Sequence, residues 1–192
     1  EFEKAIALDP EYALAHAELA IAILLLWNEN YGNLTFNEVA ARATPHAHQA
    51  MVLDSNLAEA HAATGLLLGR QSETKDALTH LTKAIEINPN YSIVHNWIAN
   101  ILNVLGHYEE AFVMQEKALR LDPLSKPAIH SYVMGLISRD RLDAAERELQ
   151  KIASIYPAWY ADLKGELAGI HWNWTEFVLG SLESLRIEPT SN

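Results

Sequence analysis

Apolar residues recur along this chain with the spacing of amphipathic helices, and the pattern itself repeats. The segment KAIEINP at residues 83–89 returns 34 residues later as KALRLDP at residues 117–123. The same step joins Ala77 to Ala111, and Ala111 to Ala145. A fixed period of this length is typical of stacked helical hairpins, because each hairpin can bury its apolar face only against a neighbour. The pattern therefore predicts an all-α solenoid of antiparallel helix pairs.

Prolines divide the chain into repeats. Pro10, Pro89, Pro123 and Pro157 each follow a helical stretch, and the residue before a proline disfavours the helical conformation. Gly106 is expected to mark the turn between the two helices of one repeat. The whole chain 1–192 is predicted to be one solenoid fragment, made of an orphan second helix at 1–10, a repeat at 11–55 with an insertion near 27–35, regular repeats at 56–89, 90–123 and 124–157, and a degenerate capping hairpin at 158–192.

Local signals refine the helix boundaries. Thr35 with Glu38, and Asn56 with Glu59, have the spacing of a capping box, in which the first side chain accepts a hydrogen bond from the helix start. Pro45 falls inside the helix that follows Thr35. We expect a kink or a broken turn just before this proline, because proline removes one helical hydrogen bond.

Small residues recur where two helices must approach closely, at Ala20, Gly65 and Ala99 on first helices and at Ala43, Ala77, Ala111 and Ala145 on second helices. Together with the terminal prolines they resemble the tetratricopeptide repeat over about residues 1–157. The resemblance implies a right-handed superhelical solenoid. The chain departs from the family framework at His16, His61 and His95, where the family prefers Trp, and at Val133, where it prefers Gly or Ala.

The resemblance also implies a concave surface, made mainly of first helices, on which the family binds extended peptides or partner helices. On the open face of one first helix, Asn96, Asn100 and Asn103 fall on a single stripe. Asn amides both donate and accept, so the stripe can hydrogen-bond a peptide backbone, and the alternative is a solvated polar face. The predicted partner-binding groove consists of Glu59, Leu66, Arg70, Asn96, Trp97, Asn100, Asn103, His130 and Met134, with Leu14, Glu18 and Ile21 extending it towards the N-terminus.

Composition narrows the choice of partners and chemistry. The net charge of -11 opposes nucleic-acid binding, which needs clustered Lys and Arg, so a protein or peptide partner is expected. No apolar run has the length of a membrane-spanning helix, and cysteine is absent, so disulfides and thiolate sites are excluded. The sequence contains no phosphate loop, metalloprotease helix or nucleophile elbow. We therefore expect a protein that is not an enzyme and uses no cofactor.

The nine histidines raise the question of a metal site. His46 and His48 are two residues apart, so a helix directs them to different sides. His16, His61 and His95 recur once per repeat, at a position that packs against neighbouring helices. We interpret these three as partly buried structural imidazoles, and no metal site is predicted.

Trp172 and Trp174 lie between Ile170 and Phe177 near the C-terminus. These aromatic residues are interpreted as the core of the capping hairpin. The alternative is an exposed apolar end through which the chain docks a further repeat or forms a homo-oligomer.

Two functions compete on this evidence. The favoured one is a non-catalytic protein–protein interaction scaffold that binds a peptide or a partner helix in the concave groove. The other is a regulatory or sensory module acting on an attached DNA-binding or cyclase domain. The regulatory function is suggested by residues 6–16 and by the lengthened first repeat. Both loosely resemble repeat regions of bacterial cyclases and winged-helix signalling regulators. The chain opens inside a repeat and is interpreted as a piece of a longer protein. Its cellular compartment is not defined by the sequence, and the cytoplasm is favoured.

Overall fold

The computed structural model describes residues 1–28 and 34–170, and every helix or strand element within them is an α-helix. The predicted all-α class is therefore confirmed. Residues 171–192 of the predicted capping hairpin, with Trp172 and Trp174, lie outside the described residues, as does the centre of the predicted insertion near 27–35. In chain order the helices are α1 (Phe2–Leu8), α2 (Ala13–Asn28), α3 (Phe36–Leu53), α4 (Ala58–Arg70), α5 (Thr74–Ile87), α6 (Ser92–Val104), α7 (Tyr108–Leu121), α8 (Lys126–Ile137), α9 (Leu142–Ile152) and α10 (Pro157–Ile170).

The chain divides into two compact units, and the first comprises Glu1–Leu121. Its helices pair as hairpins, α2 with α3, α4 with α5, and α6 with α7. Short turns at 71–73 and 105–107 connect the helices of the second and third hairpins. Each of these turns contains one residue with a left-handed backbone, Ser72 or Gly106. Short turns of this kind keep consecutive helices side by side, as the repeat pattern predicts.

Small residues allow the close approach within each hairpin. Fully buried alanines occupy the predicted contact positions, Ala20 and Ala99 on first helices and Ala43, Ala77 and Ala111 on second helices. At the equivalent position Gly65, a Cβ atom would lie only 2.7 Å from Cγ of Leu81. Larger buried side chains, among them Leu24 and Val94, fill the remaining space of the core. The predicted role of the small residues is therefore confirmed for this unit.

Thr35 caps α3 as predicted. The Glu38 N–H donates to Thr35 Oγ1 at 3.4 Å, and the Thr35 N–H donates to Glu38 Oε2 at 2.7 Å. Both halves of the capping box are present. The Thr35 hydroxyl also donates to Glu38 Oε2, at 2.8 Å, and the two bonds that this carboxylate accepts from the backbone and side chain of Thr35 lower its pKa. The corresponding prediction for Asn56 is wrong, because α4 begins after Leu57. The Asn56 N–H instead donates to the Asp54 carboxylate at 2.8 Å, which closes a local turn before the helix.

Pro45 does not interrupt α3, so the expected broken turn is also wrong. The helix continues through this proline from Phe36 to Leu53. Both Pro45 and Ala41, whose carbonyl loses its helical partner, are exposed. Water can therefore satisfy the freed carbonyl oxygen, and the proline ring lies on the surface of the helix.

The second unit comprises Asp122–Asn192, of which α8, α9 and α10 are described. Ser125 caps α8 by accepting from the Ala128 N–H at 3.4 Å. Lys126 Nζ lies 5.0 Å from the ring centre of Tyr156 and 5.6 Å from that of Trp159, within the range of a cation–π contact. Val133, where the family prefers a smaller residue, is buried in the core of this unit.

Candidate functional site

A pocket of about 310 Å³ lies among the end of α4, the start of α5 and the later turns of α6. It has an apolar wall and a polar rim, a composition usual for ligand pockets. The glycines Gly65 and Gly69 line it on the α4 side, where they leave room that larger side chains would fill. The wall includes Leu66, Trp97, Ile101 and Val104, and the rim includes Arg70 and Asn100.

Four of the nine predicted groove residues meet at this pocket. Leu66 and Arg70 come from α4, and Trp97 and Asn100 come from α6. Trp97 is 7% exposed, so the pocket reaches only part of the indole, whereas Asn100 is exposed. Burial lowers the pKa of the Arg70 guanidinium, which still remains charged at neutral pH. The arrangement can receive an apolar side chain and offers an amide to a neighbouring backbone.

Asn96 does not lie on an open face, so the predicted stripe of three asparagines is interrupted. Its side chain is 3% exposed, and its Oδ1 has no hydrogen-bond partner among the described residues. Ala17 and Ala62, at the equivalent positions of earlier repeats, are fully buried. This position therefore belongs to the packing surface of first helices. Asn103 is half-buried and does not line the pocket.

His130 and Met134 belong to the second unit, where both are half-buried on α8. In the first unit, Glu59 lies seven residues before Leu66 on α4 and does not line the pocket. Burial and the Glu59 carboxylate raise the pKa of Glu18 on α2.

Tyr91 lies at the start of α6, beside the same acidic groups. Burial raises the pKa of its phenol, and the charges of Glu18 and Glu59 raise it further. The phenol of Tyr91 is therefore uncharged at neutral pH.

Histidines of paired helices meet in two of the hairpins. Nδ1 of His16 on α2 lies 3.0 Å from Nδ1 of His46 on α3. Nδ1 of His61 on α4 lies 3.1 Å from Nδ1 of His80 on α5. The ring centres are 5.2 Å apart in both pairs. The same arrangement therefore occurs twice, one hairpin apart.

A backbone carbonyl fixes the first histidine of each pair. His16 Nε2 lies 3.2 Å from the Pro10 oxygen, and His61 Nε2 lies 3.1 Å from the Ser55 oxygen. Because a carbonyl only accepts hydrogen bonds, Nε2 carries the proton. Nδ1 of His16 and of His61 is then a lone pair that faces the second histidine. The second histidine donates its Nδ1–H to it.

The third hairpin has only the first member of this arrangement. His95 Nε2 lies 3.0 Å from the Pro89 oxygen, as in the other hairpins. Met114 occupies the position that His80 holds one repeat earlier and His46 holds two repeats earlier. His95 is fully buried, and its Nδ1 has no hydrogen-bond partner in the described part of the chain.

His16, His61 and His95 lie at helix contacts, as the repeat pattern predicts, whereas His46 and His80 were not predicted as partners of the first two. The missed signal was that His46 and His80 are separated by one repeat of 34 residues. Over residues 1–28 and 34–170, no three His, Asp or Glu side chains come together as metal ligands. None of the helices described in these ranges is both long and apolar enough to cross a membrane.

A family model described as tetratricopeptide repeat matches residues 80–112. This segment runs from the middle of α5 through α6 to the start of α7. The predicted resemblance to this family is therefore confirmed. No curated protein sequence matches the chain.

Solved structures share the fold at low sequence identity. YrrB, described as a TPR protein with an unusual peptide-binding site, has a TM-score of 0.59 and 21% identity, covering 99% of this chain and 93% of its own. PilF of Pseudomonas aeruginosa has a TM-score of 0.70 and 17% identity, covering 93% of this chain and 78% of its own. The human IFIT1 dimer with PPP-AAAA has a TM-score of 0.77 and 17% identity, covering all of this chain and 44% of its own. The predicted tetratricopeptide-type solenoid fold is confirmed by these matches.

Proposed function

We propose that this chain, which contains tetratricopeptide repeats, is a non-catalytic scaffold that binds a peptide or a partner helix at the pocket between α4 and α6. The observation that carries the proposal is the pocket of about 310 Å³ itself, where four predicted groove residues meet. A volume of this size receives one large apolar side chain of a ligand. The structure of YrrB, described as having a peptide-binding site, gives a precedent within the same fold.

The chemistry around the pocket favours an extended or helical peptide over a small polar ligand. Leu66, Trp97 and Ile101 supply the apolar surface, from which an apolar anchor of the peptide would exclude water. Asn100 is exposed at the rim, where its amide can donate to and accept from the backbone beside that anchor. Apolar anchoring with one or two directed hydrogen bonds is how helical grooves and extended sites recognise peptides.

Val104 offers a direct test of the pocket. It lines the pocket and is 79% exposed, so Val104→Glu places a charge on the wall without disturbing the core. Val113 on α7 is 57% exposed and does not line the pocket, so Val113→Glu is a matched control with the same change of charge. Peptides selected from a random library against the unaltered chain serve as ligands, and fluorescence anisotropy measures their affinity.

We expect Val104→Glu to weaken the selected peptides by about tenfold or more, which corresponds to about 1.4 kcal/mol or more. Val113→Glu is expected to bind them like the unaltered chain. Equal affinity of both variants would place recognition elsewhere and would contradict the proposal. Failure to select any binding peptide would contradict it as well.

We propose further that the partner is a protein or peptide and not a nucleic acid. The net charge of -11 supports this, because phosphate recognition relies on clustered positive charge. The human IFIT1 structure with PPP-AAAA makes the question worth testing for this fold. A labelled 5′-triphosphate RNA is expected to show no binding at low salt. Binding that weakens steeply as salt is added would contradict the proposal.

A further inference from the structure

The two histidine pairs contain the elements of a metal site. Nε2–H of His61 is committed to the Ser55 carbonyl at 3.1 Å, so its Nδ1 is a lone pair. Metal-binding histidines typically donate their second ring N–H to such a carbonyl, which fixes the orientation of the ring. The lone pair of His61 faces Nδ1 of His80 at 3.1 Å. His61 is therefore already oriented as a ligand.

Only a shift of one proton is needed to make His80 a ligand as well. In the metal-free pair His80 holds its proton on Nδ1 and donates it to His61. Transfer of that proton through solvent to Nε2 of His80 leaves the ring neutral and turns Nδ1 into a second lone pair. The two Nδ1 lone pairs then face each other across 3.1 Å, a small rotation of the rings directs both at one ion, and binding of that ion releases no proton.

We propose that His61 and His80 form a binding site for a divalent first-row transition metal ion, with Cu²⁺ and Ni²⁺ favoured. With metal–nitrogen bonds of about 2.0–2.1 Å, nitrogens 3.1 Å apart subtend an angle of about 98° at the metal. Such an angle can be accommodated by two adjacent ligands of a square-planar or octahedral ion. Tetragonal coordination by nitrogen and oxygen is characteristic of Cu²⁺ and Ni²⁺.

Solvent can reach this pair. His61 and His80 both line an open cavity of about 570 Å³, together with Thr79, Lys83 and Glu86. The cavity provides a path for a hydrated ion and room for the water molecules that complete its coordination. Since no third His, Asp or Glu joins the pair among the described residues, the protein supplies two ligands.

The third hairpin shows that the fold does not need the second histidine. There His95 makes the same bond to a carbonyl, at 3.0 Å from the Pro89 oxygen, but Met114 stands where His80 stands in the second hairpin. A hairpin of the same repeat therefore forms around a single histidine. His80 therefore adds a second imidazole that the packing of the hairpin does not require, and it places that imidazole against the Nδ1 lone pair of His61.

His16 and His46 repeat this geometry, with 3.0 Å between the Nδ1 atoms and 3.2 Å from His16 Nε2 to the Pro10 oxygen. We therefore expect a second ion at this pair. The two pairs belong to different hairpins, so each ion can be removed without disturbing the other site.

The test is a titration of the protein, prepared without a polyhistidine tag, with NiCl₂ near neutral pH by calorimetry. His80→Met and His46→Met copy the residue that the third hairpin carries at this position, so both variants are expected to fold. His48→Met is the matched control, because His48 is exposed on α3 outside either pair. We expect two Ni²⁺ ions per unaltered chain and per His48→Met chain, and one ion per chain for each of the other two variants.

Several outcomes would overturn the assignment. The absence of saturable binding to the unaltered chain would do so, as would binding by His80→Met equal to that of His48→Met. Loss of binding in His80→Met but not in His46→Met would support the His61–His80 site and overturn the second one. NMR of the unaltered protein tests the site without any variant, because paramagnetic Ni²⁺ should first broaden the ring signals of the paired histidines.

Discussion

The buried imidazole of His95 is held in its neutral form. Its Nε2–H donates to the Pro89 carbonyl, while Nδ1 has no partner among the described residues. Burial lowers the pKa of His95; the bond to Pro89 raises it, and the charge of Lys117 lowers it again, with a net decrease. Protonation at Nδ1 would place a charge without a partner in the core. Folding therefore selects the neutral ring.

Because the folded chain keeps His95 neutral, we expect the free energy of unfolding to decrease as the pH is lowered. Because His95 has a lowered pKa in the folded chain, the stability that it contributes is complete above the unfolded pKa of about 6.5 and is lost as the pH falls towards the folded value. The unfolded chain takes up a proton in this range and the folded chain does not, so the free energy of unfolding decreases by at most about 1.4 kcal/mol per pH unit for this group. Urea unfolding between about pH 5.5 and 8 measures the slope.

His95→Gln is the control for this prediction, because glutamine keeps a side-chain donor near Pro89 but does not titrate. We expect a smaller slope of stability against pH in this variant. A slope equal to that of the unaltered chain would show that the acid sensitivity arises from other groups.

Two glycines of α4 are surrounded differently. A Cβ on Gly65 would lie 2.7 Å from Leu81 Cγ and 3.1 Å from the Ala77 carbonyl oxygen. On Gly69 the nearest atom would be Ile101 Cδ1, at 3.4 Å, which is an ordinary contact. Leu81 is fully buried, so it has little freedom to move away.

We expect Gly65→Ala to destabilise the chain. Overpacking costs about 1–3 kcal/mol, and the better helix propensity of alanine offsets at most about 1 kcal/mol of it. Gly69→Ala, the same change on the same helix, is expected to be neutral or to stabilise by up to about 1 kcal/mol. Urea denaturation of both variants compares them, and equal effects would contradict the role given to Leu81.

One turn geometry recurs in three hairpins. Ser72, Gly106 and Asp140 have φ values of 66°, 81° and 55°, and they are spaced by the repeat length of 34 residues. The following residue closes the turn in each case, from Glu73 to the Leu68 oxygen at 3.0 Å, from His107 to Leu102 at 2.9 Å, and from Arg141 to Leu136 at 3.0 Å. This bond is the main feature of the Schellman helix end. The geometry is the same in each turn although the residue differs.

Substitutions of the left-handed residue in two of these turns should change stability in opposite directions. Gly106→Ala is expected to cost about 1 kcal/mol, because alanine is strained in the left-handed region and only part of this is recovered from the less flexible unfolded chain. No other atom lies within 4 Å of the added Cβ, so the effect belongs to the backbone alone. Ser72→Gly is expected to stabilise by less than about 1 kcal/mol. Thermal unfolding followed by circular dichroism measures both, and the same sign for both would contradict the account.

The elements were largely predictable from local patterns. Helix order and pairing follow from apolar spacing and from the repeat, and the glycine at position 106 is by itself a signal for the turn there. Ser72 and Asp140 could not be recognised in this way, because serine is uncommon in the left-handed region, and aspartate, although enriched there, is also common at helix starts. Their position one repeat from Gly106 is the signal that was available.

The candidate site was predictable only in part. Leu66 and Asn100 reach the pocket because helical periodicity places them on one side of their helices. Asn96 belongs to the same stripe but is buried, since the burial of a helix position depends on what the adjacent elements place against it. The equivalent residues Ala17 and Ala62 indicate this packing position more reliably than the amide character of Asn96.

In the Glu1–Leu121 unit, stability is distributed among neighbouring hairpins. The core of the Glu1–Leu121 unit runs continuously from Ala20 on α2 to Ala111 on α7. Within it α2 contacts α4, and α4 contacts α6, so first helices stack in order along the unit. In such arrays the stability is approximately a sum of repeat terms and of interfaces between nearest neighbours. A set of complete hairpins can therefore fold without the remainder of the chain.

We expect the segment 1–121, produced alone, to fold and to unfold in a single cooperative transition. It retains three complete hairpins, which is the minimum usually needed for a stable repeat array, and it retains the continuous core of its unit. Circular dichroism gives the helical content and the melting curve, with segment 1–89 as the control, because this piece lacks α6 and α7 and should melt earlier. A segment 1–121 without cooperative unfolding, or one no more stable than 1–89, would show that the core seen here depends on the rest of the chain.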